Sequence, residues 1–387
     1  MVSTQPTAPR PRPLAGFRVI EVGHAVCAPL CARHLADLGA DVIKVEAPGG
    51  DLARGYDEVV GGDSAYFAWA NYGKRSVVLD LRSESGRTDF EKLIGRADVL
   101  IHNLGPGAMK RLGFDHARLS RINPTLIDCA ISGYGKSGPM AERKAFDLLV
   151  QGEAGLMSVT GTHDEPAKVG ISIVDMCTAM YALAAVQAAL IERTTTAAGR
   201  RIDIAMFDCL AEWMMAPAFH QIHTGTPPRR EGARHNMMVP YGLYKTGPST
   251  SVNFAVQTTP HWRALCTDVL RAPHLTDHPD YANNADRVRN RTVLEPEIER
   301  LLSAIGHEQS LARLLAARIP VGEVNDLAGL VDHAQLRARD RWMTIRTHGG
   351  TAPTVRPPFD LTDPDESDPP SVPALGEHTT SVLAELD

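Results

Sequence analysis

Features that would quickly assign this sequence to a familiar class are missing. No apolar run approaches the roughly 18 to 20 residues of a membrane-spanning helix, which argues against a membrane protein. Basic residues do not outnumber acidic ones, and the formal net charge of -6 argues against a nucleic-acid partner bound by charge. Residues 1–13 are rich in proline and threonine without an apolar centre, so they predict a disordered tail and not a secretory signal.

Paired cysteines and clustered histidines are missing as well. The six cysteines form no CxxC pair, a pattern typical of buried thiols in a reducing compartment, which predicts a cytoplasmic protein. His220 and His223 have no third candidate ligand nearby, so no metal site is expected. The segment 131–135 lacks the Gly-x-Ser-x-Gly pattern of a serine hydrolase.

The sequence does contain a regular alternation of strands and helices. A short apolar strand at 18–22 precedes helical spacing over 27–38 and a second strand at 41–46. Further strands are predicted at 76–80, 98–102, 125–131 and 200–206. The alternation predicts an α/β fold with a doubly wound, mainly parallel, Rossmann-like sheet, whose ligands bind beyond the carboxyl ends of the strands.

A change of composition near residue 225 predicts a second domain. Residues 14–224 are expected to form a large α/β domain, and residues 225–325 a smaller α+β domain that includes a hairpin. Residues 326–387 are expected to return to the large domain.

A nicotinamide dehydrogenase is one candidate, because Glu46 follows Gly23 at the spacing of a ribose-binding acid. The turn at 23–29, however, has one glycine where the dinucleotide fingerprint has three, so its backbone cannot approach a pyrophosphate closely. Pro29 instead suits the first turn of a helix. Dinucleotide binding is therefore disfavoured.

Asp175 is the leading candidate for a reactive side chain. It is predicted to end an apolar strand at 169–174 and to precede a helix of small residues at 176–193. The positive end of that helix would favour an ionised carboxylate, as a nucleophile requires. Aspartate at such a junction commonly caps the helix instead, and the motifs around Asp175 decide between these roles.

Basic residues lie along the predicted ligand edge of the sheet. They are Lys74 and Arg75 before one strand, Arg82 after it, and Lys110 and Arg111 after the next. Each alone is typical of a solvated charge, but together they could hold a phosphorylated nucleotide.

Ordered motifs along the chain, from about residue 14 to residue 386, resemble those of the class III CoA-transferases. They are Leu-Gly-Ala-Asp-Val-Ile-Lys-Val-Glu at 38–46, Asn-Tyr-Gly-Lys-Arg-Ser at 71–76, Asn-Leu-Gly-Pro-Gly at 103–107, Ser-Gly-Tyr-Gly at 132–135 and Leu-Gly-Glu-His-Thr at 375–379. The resemblance implies coenzyme A as substrate, Asp175 as the catalytic aspartate, and an interlocked homodimer. It also implies CoA contacts from His24, Ala25, Val26, Leu79, Asp80, Leu81, Arg82, Asn103, Leu104, Gly105, Arg111 and Lys144.

Departures from the family pattern narrow the expected reaction. Ala47 stands where the oxalate enzymes often have a basic residue, and segment 241–247 lacks their glycine-rich lid, which disfavours oxalate as acceptor. Phe146 stands where the racemases of the family have a histidine before the aspartate that matches Asp147. A racemase needs two groups to remove and return a proton, so transfer is favoured.

The expected activity is acyl-CoA:carboxylate CoA transfer through an aspartyl-CoA thioester, with small dicarboxylic acids such as succinate, itaconate or mesaconate. The alternatives are an α-methylacyl-CoA racemase and a non-catalytic CoA-binding protein. Supporting roles are open between function and structure: Gly133 and Gly135 as sites of backbone donors, Asp147 as a partner of Lys144 or water, and Arg229, Arg230, Arg234 and His235 as carboxylate clamps or a charged linker.

Overall fold

The computed structural model of the chain describes residues 12–359, 361 and 368–387. Nearly all of the tail predicted at 1–13 therefore lies outside the described residues. The strands are β1 (Arg18–Val22), β2 (Asp41–Glu46), β3 (Arg75–Val78), β4 (Val99–His102), β5 (Ile127–Ser132), β6 (Arg200–Ala205), β7 (Tyr241–Lys245), β8 (Ser251–Ala255), β9 (Val321–Gly322), β10 (Trp342–Thr347) and β11 (Gly350–Val355).

The helices alternate with these strands along the first half of the chain and dominate the second. They are α1 (Cys27–Asp37), α2 (Ala65–Asn71), α3 (Glu84–Gly95), α4 (Ala108–Arg111), α5 (His116–Ile122), α6 (Asp147–Glu153), α7 (Leu156–Val159), α8 (Ile173–Thr196), α9 (Met206–Trp213), α10 (Met215–Thr224), α11 (Thr259–Ala264), α12 (Asn284–Arg289), α13 (Arg291–Ile305), α14 (His307–Ala316), α15 (Leu327–Val331), α16 (Ala334–Ala338) and α17 (Thr379–Ala384).

The predicted doubly wound sheet is present. In the described residues six strands pair in the order β3-β2-β1-β4-β5-β6, and every neighbouring pair is parallel. The strand order reverses between β1 and β4, which makes the loops after these two strands the expected ligand crevice. Ile20, Ile43 and Leu100 belong to the buried apolar cluster of the sheet, as strands covered on both faces require.

The chain divides into two compact units. The first contains the described residues up to Ala154 together with Gly170–Met214 and Gln335–Asp387, and the second contains Gly155–Val169 and Met215–Ala334. Segment 155–169 was expected in the large domain, and the expected borders near 225 and 325 also differ from the observed ones. The segment groups with the second unit because Gly232 N–H donates to Gly161 O at 2.9 Å and Arg230 binds the carbonyls of Thr162 and His163.

The second unit has its own sheet and core. Strands β7, β8 and β9 form an antiparallel sheet, and Trp262, Phe254, Leu294 and Ile298 are buried in the cluster beside it. The hairpin β10–β11 belongs to the first unit, where Ile345 packs with Phe67 and Tyr72.

Helix α8 corrects two sequence-based expectations. The strand predicted at 169–174 is absent, because α8 already begins at Ile173. The carboxylate of Asp147, which is distant in the sequence, accepts hydrogen bonds from N–H groups in the first turn of this helix. In the described part of the chain, one helix is long enough and apolar enough, by length and composition alone, to cross a membrane, and this helix is α8. It packs against α1, α9, β5 and β6 of the first unit, as a core helix does.

Candidate active site

Asp175 lies in the first turn of α8 and is half-buried. Burial and the negative charge of Asp147 raise the pKa of Asp175 to about 7, while a hydrogen bond from Cys27 acts in the opposite direction. A carboxyl group with this pKa is ionised above neutral pH and carries little of the hydration that would quench a nucleophile. The first turn of α8 therefore carries a poorly hydrated carboxylate that is ionised above neutral pH.

The helix-capping role belongs to Asp147 and not to Asp175. Asp147 begins α6, and its Oδ1 atom accepts the N–H groups of Val174 at 2.7 Å and Asp175 at 3.2 Å. Its Oδ2 atom accepts a hydrogen bond from Gln151 at 2.6 Å. Among the described residues these contacts replace the predicted partnership with Lys144, which is exposed. Asp147 thus fixes the first turn of α8 and leaves the Asp175 side chain free of a capping role.

The loops after β1 and β4 are tied together beside this helix. Asn103 accepts the N–H of His24 and donates to its carbonyl, both at 2.9 Å. Ala25 adopts a left-handed backbone with φ of 61°, and its N–H donates to Asp51 Oδ1 at 3.0 Å. Three of the residues implied in CoA contacts are therefore held at the point where the strand order reverses.

A network of buried, charged side chains supports the loop after β1. Lys44 Nζ contacts Glu21 at 2.8 Å, Asp51 at 2.9 Å and the Gly23 carbonyl at 3.0 Å, with both ends of these pairs fully buried. Burial alone would lower the pKa of Lys44, but the charges of Glu21 and Asp51 outweigh it and raise the pKa. The network links the ends of β1 and β2 to the loop that carries Ala25.

Lys74 belongs to the same network and does not lie on a nucleotide-binding rim. Its Nζ contacts Glu21 at 2.8 Å, Pro29 O at 2.7 Å and Asn71 at 2.8 Å, and burial lowers its pKa to about 8. Arg75 pairs with Asp41 at the amino-terminal edge of the sheet, so it also lies away from the predicted rim. Sequence reasoning missed Glu21 and Lys44, although a charged residue inside an apolar parallel strand is itself a signal for a buried partner.

Glu46 is saturated with protein contacts. Arg54 binds both of its carboxylate oxygens, at 2.7 and 2.8 Å, and Ser76 and the Asp51 N–H supply further hydrogen bonds. A ribose hydroxyl would have to displace these donors. This arrangement disfavours dinucleotide binding, as the single glycine of the turn at 23–29 does.

Apart from Arg111, which ends α4, the other residues implied in CoA contacts lie in loops at the same edge of the sheet. After β3, the side chains of Leu79 and Leu81 are buried, so they can offer a ligand only their backbone, while Arg82 pairs with Asp80 at 2.9 Å in solvent. After β4, Leu104 and Gly105 lie in the loop that leads to α4. Arg111 is exposed and donates to the Pro106 carbonyl at 2.9 Å.

The two glycines proposed as sites of backbone donors have different roles. A Cβ atom on Gly133 would lie 2.2 Å from Ala145 Cβ, so glycine is required for the close approach of the two loops. The Gly135 N–H donates to Ser132 Oγ at 3.1 Å, which engages it inside the turn instead of leaving it for an oxyanion. The expectation for Gly135 is therefore corrected.

Two of the predicted carboxylate clamps are already engaged within the second unit. Arg234 binds Glu295 at 2.9 Å and Glu299 at 2.6 Å, and Arg230 donates to the Thr162 carbonyl at 2.9 Å. Arg229 is exposed, and His235 stacks on Tyr241 with ring centroids 5.1 Å apart. Only Arg229 and His235 of the four remain as candidates for an acid substrate.

Fold and site together define an α/β protein with a half-buried carboxylate near the ligand edge of a parallel sheet. Among residues 12–359, 361 and 368–387, no group of three His, Cys, Asp or Glu side chains is arranged to hold a metal ion. The model of CoA-transferase family III matches residues 14–379. The chain belongs to this family and is a class III CoA-transferase, which confirms the resemblance carried by the motifs.

Relatives match over nearly their whole length. The acetyl-CoA:oxalate CoA-transferase of Acetobacter aceti is 36% identical, over 91% of this chain and 90% of the relative. The succinate–glutarate CoA-transferase of Agrobacterium fabrum is 35% identical, over 98% of this chain and 96% of the relative. The crystal structure of a CaiB/BaiF family protein from Brucella suis superimposes with a TM-score of 0.82, at 35% identity, over 98% of this chain and 100% of that one.

Proposed function

We propose that this enzyme transfers CoA from an acyl-CoA to a free carboxylic acid through a covalent thioester on Asp175. The observation that carries the proposal is the Asp175 carboxylate itself: it is half-buried in the first turn of α8, and Asp147 performs the capping role that would otherwise occupy it. A carboxylate that is held in place and poorly solvated is suited to nucleophilic catalysis.

The reaction begins when an Asp175 oxygen attacks the thioester carbonyl. The carbon–sulfur bond breaks, CoA leaves as a thiolate, and an aspartyl acyl anhydride remains. The thiolate then attacks the Asp175 carbonyl, which releases the donor acid and forms the aspartyl-CoA thioester. The acceptor carboxylate reverses both steps, so acyl-CoA product leaves and Asp175 is regenerated as a carboxylate.

For binding, we assign CoA to the loops after β1, β3 and β4. They contain His24, Ala25 and Val26, then 79–82, then 103–105, and Arg111 and Lys144 are the exposed cations available for phosphate groups. The Asn103–His24 hydrogen bonds and the Asp51–Ala25 contact support this assignment, because they prearrange the loops before a ligand arrives.

We propose small dicarboxylic acids of the succinate type as acceptors. The name of the Agrobacterium relative, which includes succinate and glutarate, supports this class. The Acetobacter relative is named for oxalate, so oxalate belongs in the same substrate panel in spite of Ala47. Phe146 carries no proton-transfer group, which favours transfer over racemisation.

The proposed enzyme is a cytoplasmic homodimer. Its six cysteines are all free and buried, as in a reducing compartment. Large apolar side chains are exposed on several helices, for example Phe219 and Ile222 of α10 at 54% and 65%. Apolar surface of this kind marks contact sites between chains.

The test is chemical trapping on the covalent intermediate. The enzyme is incubated with succinyl-CoA, treated with hydroxylamine and digested, and mass spectrometry is expected to find a hydroxamate on Asp175. Asp175→Asn should show neither the modification nor the exchange of labelled succinate into succinyl-CoA. Turnover at the wild-type rate by Asp175→Asn would refute the proposal, and solvent deuterium at the α-carbon of a chiral acyl-CoA without any acceptor would favour a racemase.

A further inference from the structure

Asp51 is a buried carboxylate with no part in the chemical steps proposed above. It follows β2 and begins the 3₁₀ turn Leu52–Gly55, and its side chain is completely buried. Its Oδ1 atom accepts the N–H groups of Ala25 at 3.0 Å and of Ala53 at 2.9 Å. One carboxylate oxygen therefore joins the loop after β1 to the segment after β2.

Ala25 has a backbone conformation that alanine rarely adopts. Its φ of 61° is left-handed, and in this region the Cβ atom of an L-residue lies too close to the following carbonyl oxygen. The turn is also closely packed, because a Cβ atom on Gly23 would lie 2.8 Å from Ala28 Cβ and 2.9 Å from Glu21 Oε1. Such a conformation persists only where the surrounding structure holds it, and the hydrogen bond to Asp51 is a contact that does so.

The second oxygen of Asp51 faces the buried cation of the network. Oδ2 lies 2.9 Å from Lys44 Nζ, which also contacts Glu21 at 2.8 Å. Burial would raise the pKa of Asp51, but the charge of Lys44 and the backbone hydrogen bonds outweigh this effect and lower the pKa. The carboxylate that holds Ala25 is therefore ionised, and hydrogen bonds to an ionised acceptor are stronger than those to a neutral one.

We propose that Asp51 is a positioning residue for CoA binding: it holds the turn at 24–26 in its left-handed form, so that acyl-CoA meets a loop that is already folded. This inference rests on the proposed function, because it takes the loop after β1 as part of the CoA site. A preformed loop loses less conformational entropy when the ligand binds, so the contribution of Asp51 belongs to the affinity for CoA. The chemical step on Asp175 should depend on it much less.

The experiment measures the Kd of free CoA by calorimetry, and KM and kcat for succinyl-CoA in the exchange assay. Asp51→Ala removes the acceptor, so Kd and KM should rise about tenfold, as expected for the loss of one hydrogen bond to a charged group, while kcat should fall by less than about threefold. Asp51→Asn keeps an oxygen for the Ala25 N–H, and its Kd should stay within about threefold of the wild-type value.

A second substitution in the turn separates positioning from a general loss of stability. Glycine adopts the left-handed conformation without the Cβ penalty, so Ala25→Gly added to Asp51→Ala should recover about three- to fivefold of the lost CoA affinity. With Asp51 in place, the conformation is already held, so Ala25→Gly alone should not tighten the binding of CoA. A loss of affinity that came only from partial unfolding would not be recovered by a glycine.

Asn123→Ala is the matched control for the removal of buried hydrogen bonds. Asn123 lies before β5 at the opposite edge of the same sheet, where it accepts the Thr125 N–H at 3.0 Å and donates to the carbonyls of Ile94 and Ala97 at 3.0 and 2.7 Å. This variant should unfold at lower urea concentration and bind CoA with the wild-type Kd. Wild-type CoA affinity in Asp51→Ala, or an equal loss in Asn123→Ala, would overturn the inference.

Two further variants decide the matter if Asp51→Ala does not fold. Asp51→Glu keeps a negative charge beside Lys44 but moves the oxygen away from the Ala25 N–H, whereas Asp51→Asn keeps the oxygen and loses the charge. Positioning requires the asparagine variant to bind CoA more tightly, so tighter binding by the glutamate variant is the contrary result. The proposed function fails separately, if Asp175→Asn still exchanges label.

Discussion

At the scale of single residues, the site separates two aspartates that share a chemistry but not an environment. Asp147 accepts hydrogen bonds from two backbone N–H groups and from one side-chain amide, so both of its carboxylate oxygens are engaged within the protein. Burial and the nearby charge of Asp147 raise the pKa of Asp175, and a hydrogen bond from the Cys27 thiol acts in the opposite direction. Environment, and not residue type, thus decides which carboxylate holds the helix and which one the proposed mechanism uses as the nucleophile.

This division predicts the pH dependence of the enzyme and of Asp147→Asn. In the proposed mechanism ionised Asp175 is the nucleophile, and its pKa is raised to about 7, so wild-type kcat/KM should fall as the pH drops below that value. Asparagine keeps the carbonyl oxygen that accepts the α8 N–H groups but removes the negative charge. The pKa of Asp175 should therefore decrease, and the acidic limb of the profile should move to lower pH by about half a unit to one unit.

The comparison variant is Asp147→Ala, which removes both the charge and the acceptor. Loss of a helix cap costs about 0.5 to 2 kcal/mol, so this variant should unfold at lower urea concentration. Asp147→Asn keeps the acceptor for α8 and loses only the Oδ2 acceptor of Gln151, so it should be destabilised less. If the acidic limb of Asp147→Asn moved to higher pH, the inference that the negative charge of Asp147 raises the pKa of Asp175 would be contradicted.

At the scale of elements, the loop after β5 and the segment before α6 approach each other more closely than a side chain on Gly133 would allow. Gly133 follows β5 and faces Ala145, which lies between Lys144 and the start of α6. The Gly133 carbonyl also accepts the Phe207 N–H at 3.0 Å, so its backbone position is fixed from the other side by α9. The loop cannot retreat without losing this hydrogen bond.

Gly133→Ala should therefore destabilise the enzyme and lower its activity together. The added Cβ would lie 2.2 Å from Ala145 Cβ, and the resulting overpacking should cost about 1 to 3 kcal/mol in urea unfolding. Gly152→Ala is the control, because it lies inside α6 with no atom within 4 Å of an added Cβ, and it should gain about 0.5 to 1 kcal/mol. Equal stability of Gly133→Ala and the wild type would refute the close approach.

The elements also show how far sequence alone reaches. Strands β1 and β2 lie where the apolar pattern predicts them, because local periodicity is strong and turn residues bound both. The start of α8 could not be predicted, since the acceptor for its first N–H groups is Asp147, distant in the sequence. The apolar pattern of segment 169–174 is compatible with either a strand or a helix.

The same limit applies to the site. Asp175 was proposed as the reactive group from its predicted position next to a helix and from the family motifs. The buried role of Lys74 was not predicted, because a lysine in a loop has the same sequence signal whether it faces solvent or Glu21. Arg234 is a similar case, since its partners Glu295 and Glu299 lie two elements or more away along the chain. The sequence identifies the charged residues, but only the fold shows which residues they pair with.

At the scale of the whole molecule, apolar exposure on several helices requires an explanation. Ile222 and Phe219 lie on α10, Leu327 and Val331 on α15, and each is more than half exposed. Scattered single residues of this kind are ordinary, but repeated exposure along a helix is typical of surface that a second chain covers. A second copy of this chain is the occupant implied by the family resemblance.

The homodimer predicts a molecular mass close to twice the 41.9 kDa of one chain, measured by light scattering during size-exclusion chromatography. Ile222→Glu places a charge on a 65% exposed position of α10, where burial of that charge against a partner would be costly, so this variant should shift toward the monomer. Val293→Glu, also at a 65% exposed position but on α13 with polar Thr292 beside it, is the control and should keep the wild-type mass. A wild type that elutes with the mass of one chain at micromolar concentration would refute the dimer, and the equal dissociation of both variants would show that α10 is not its contact surface.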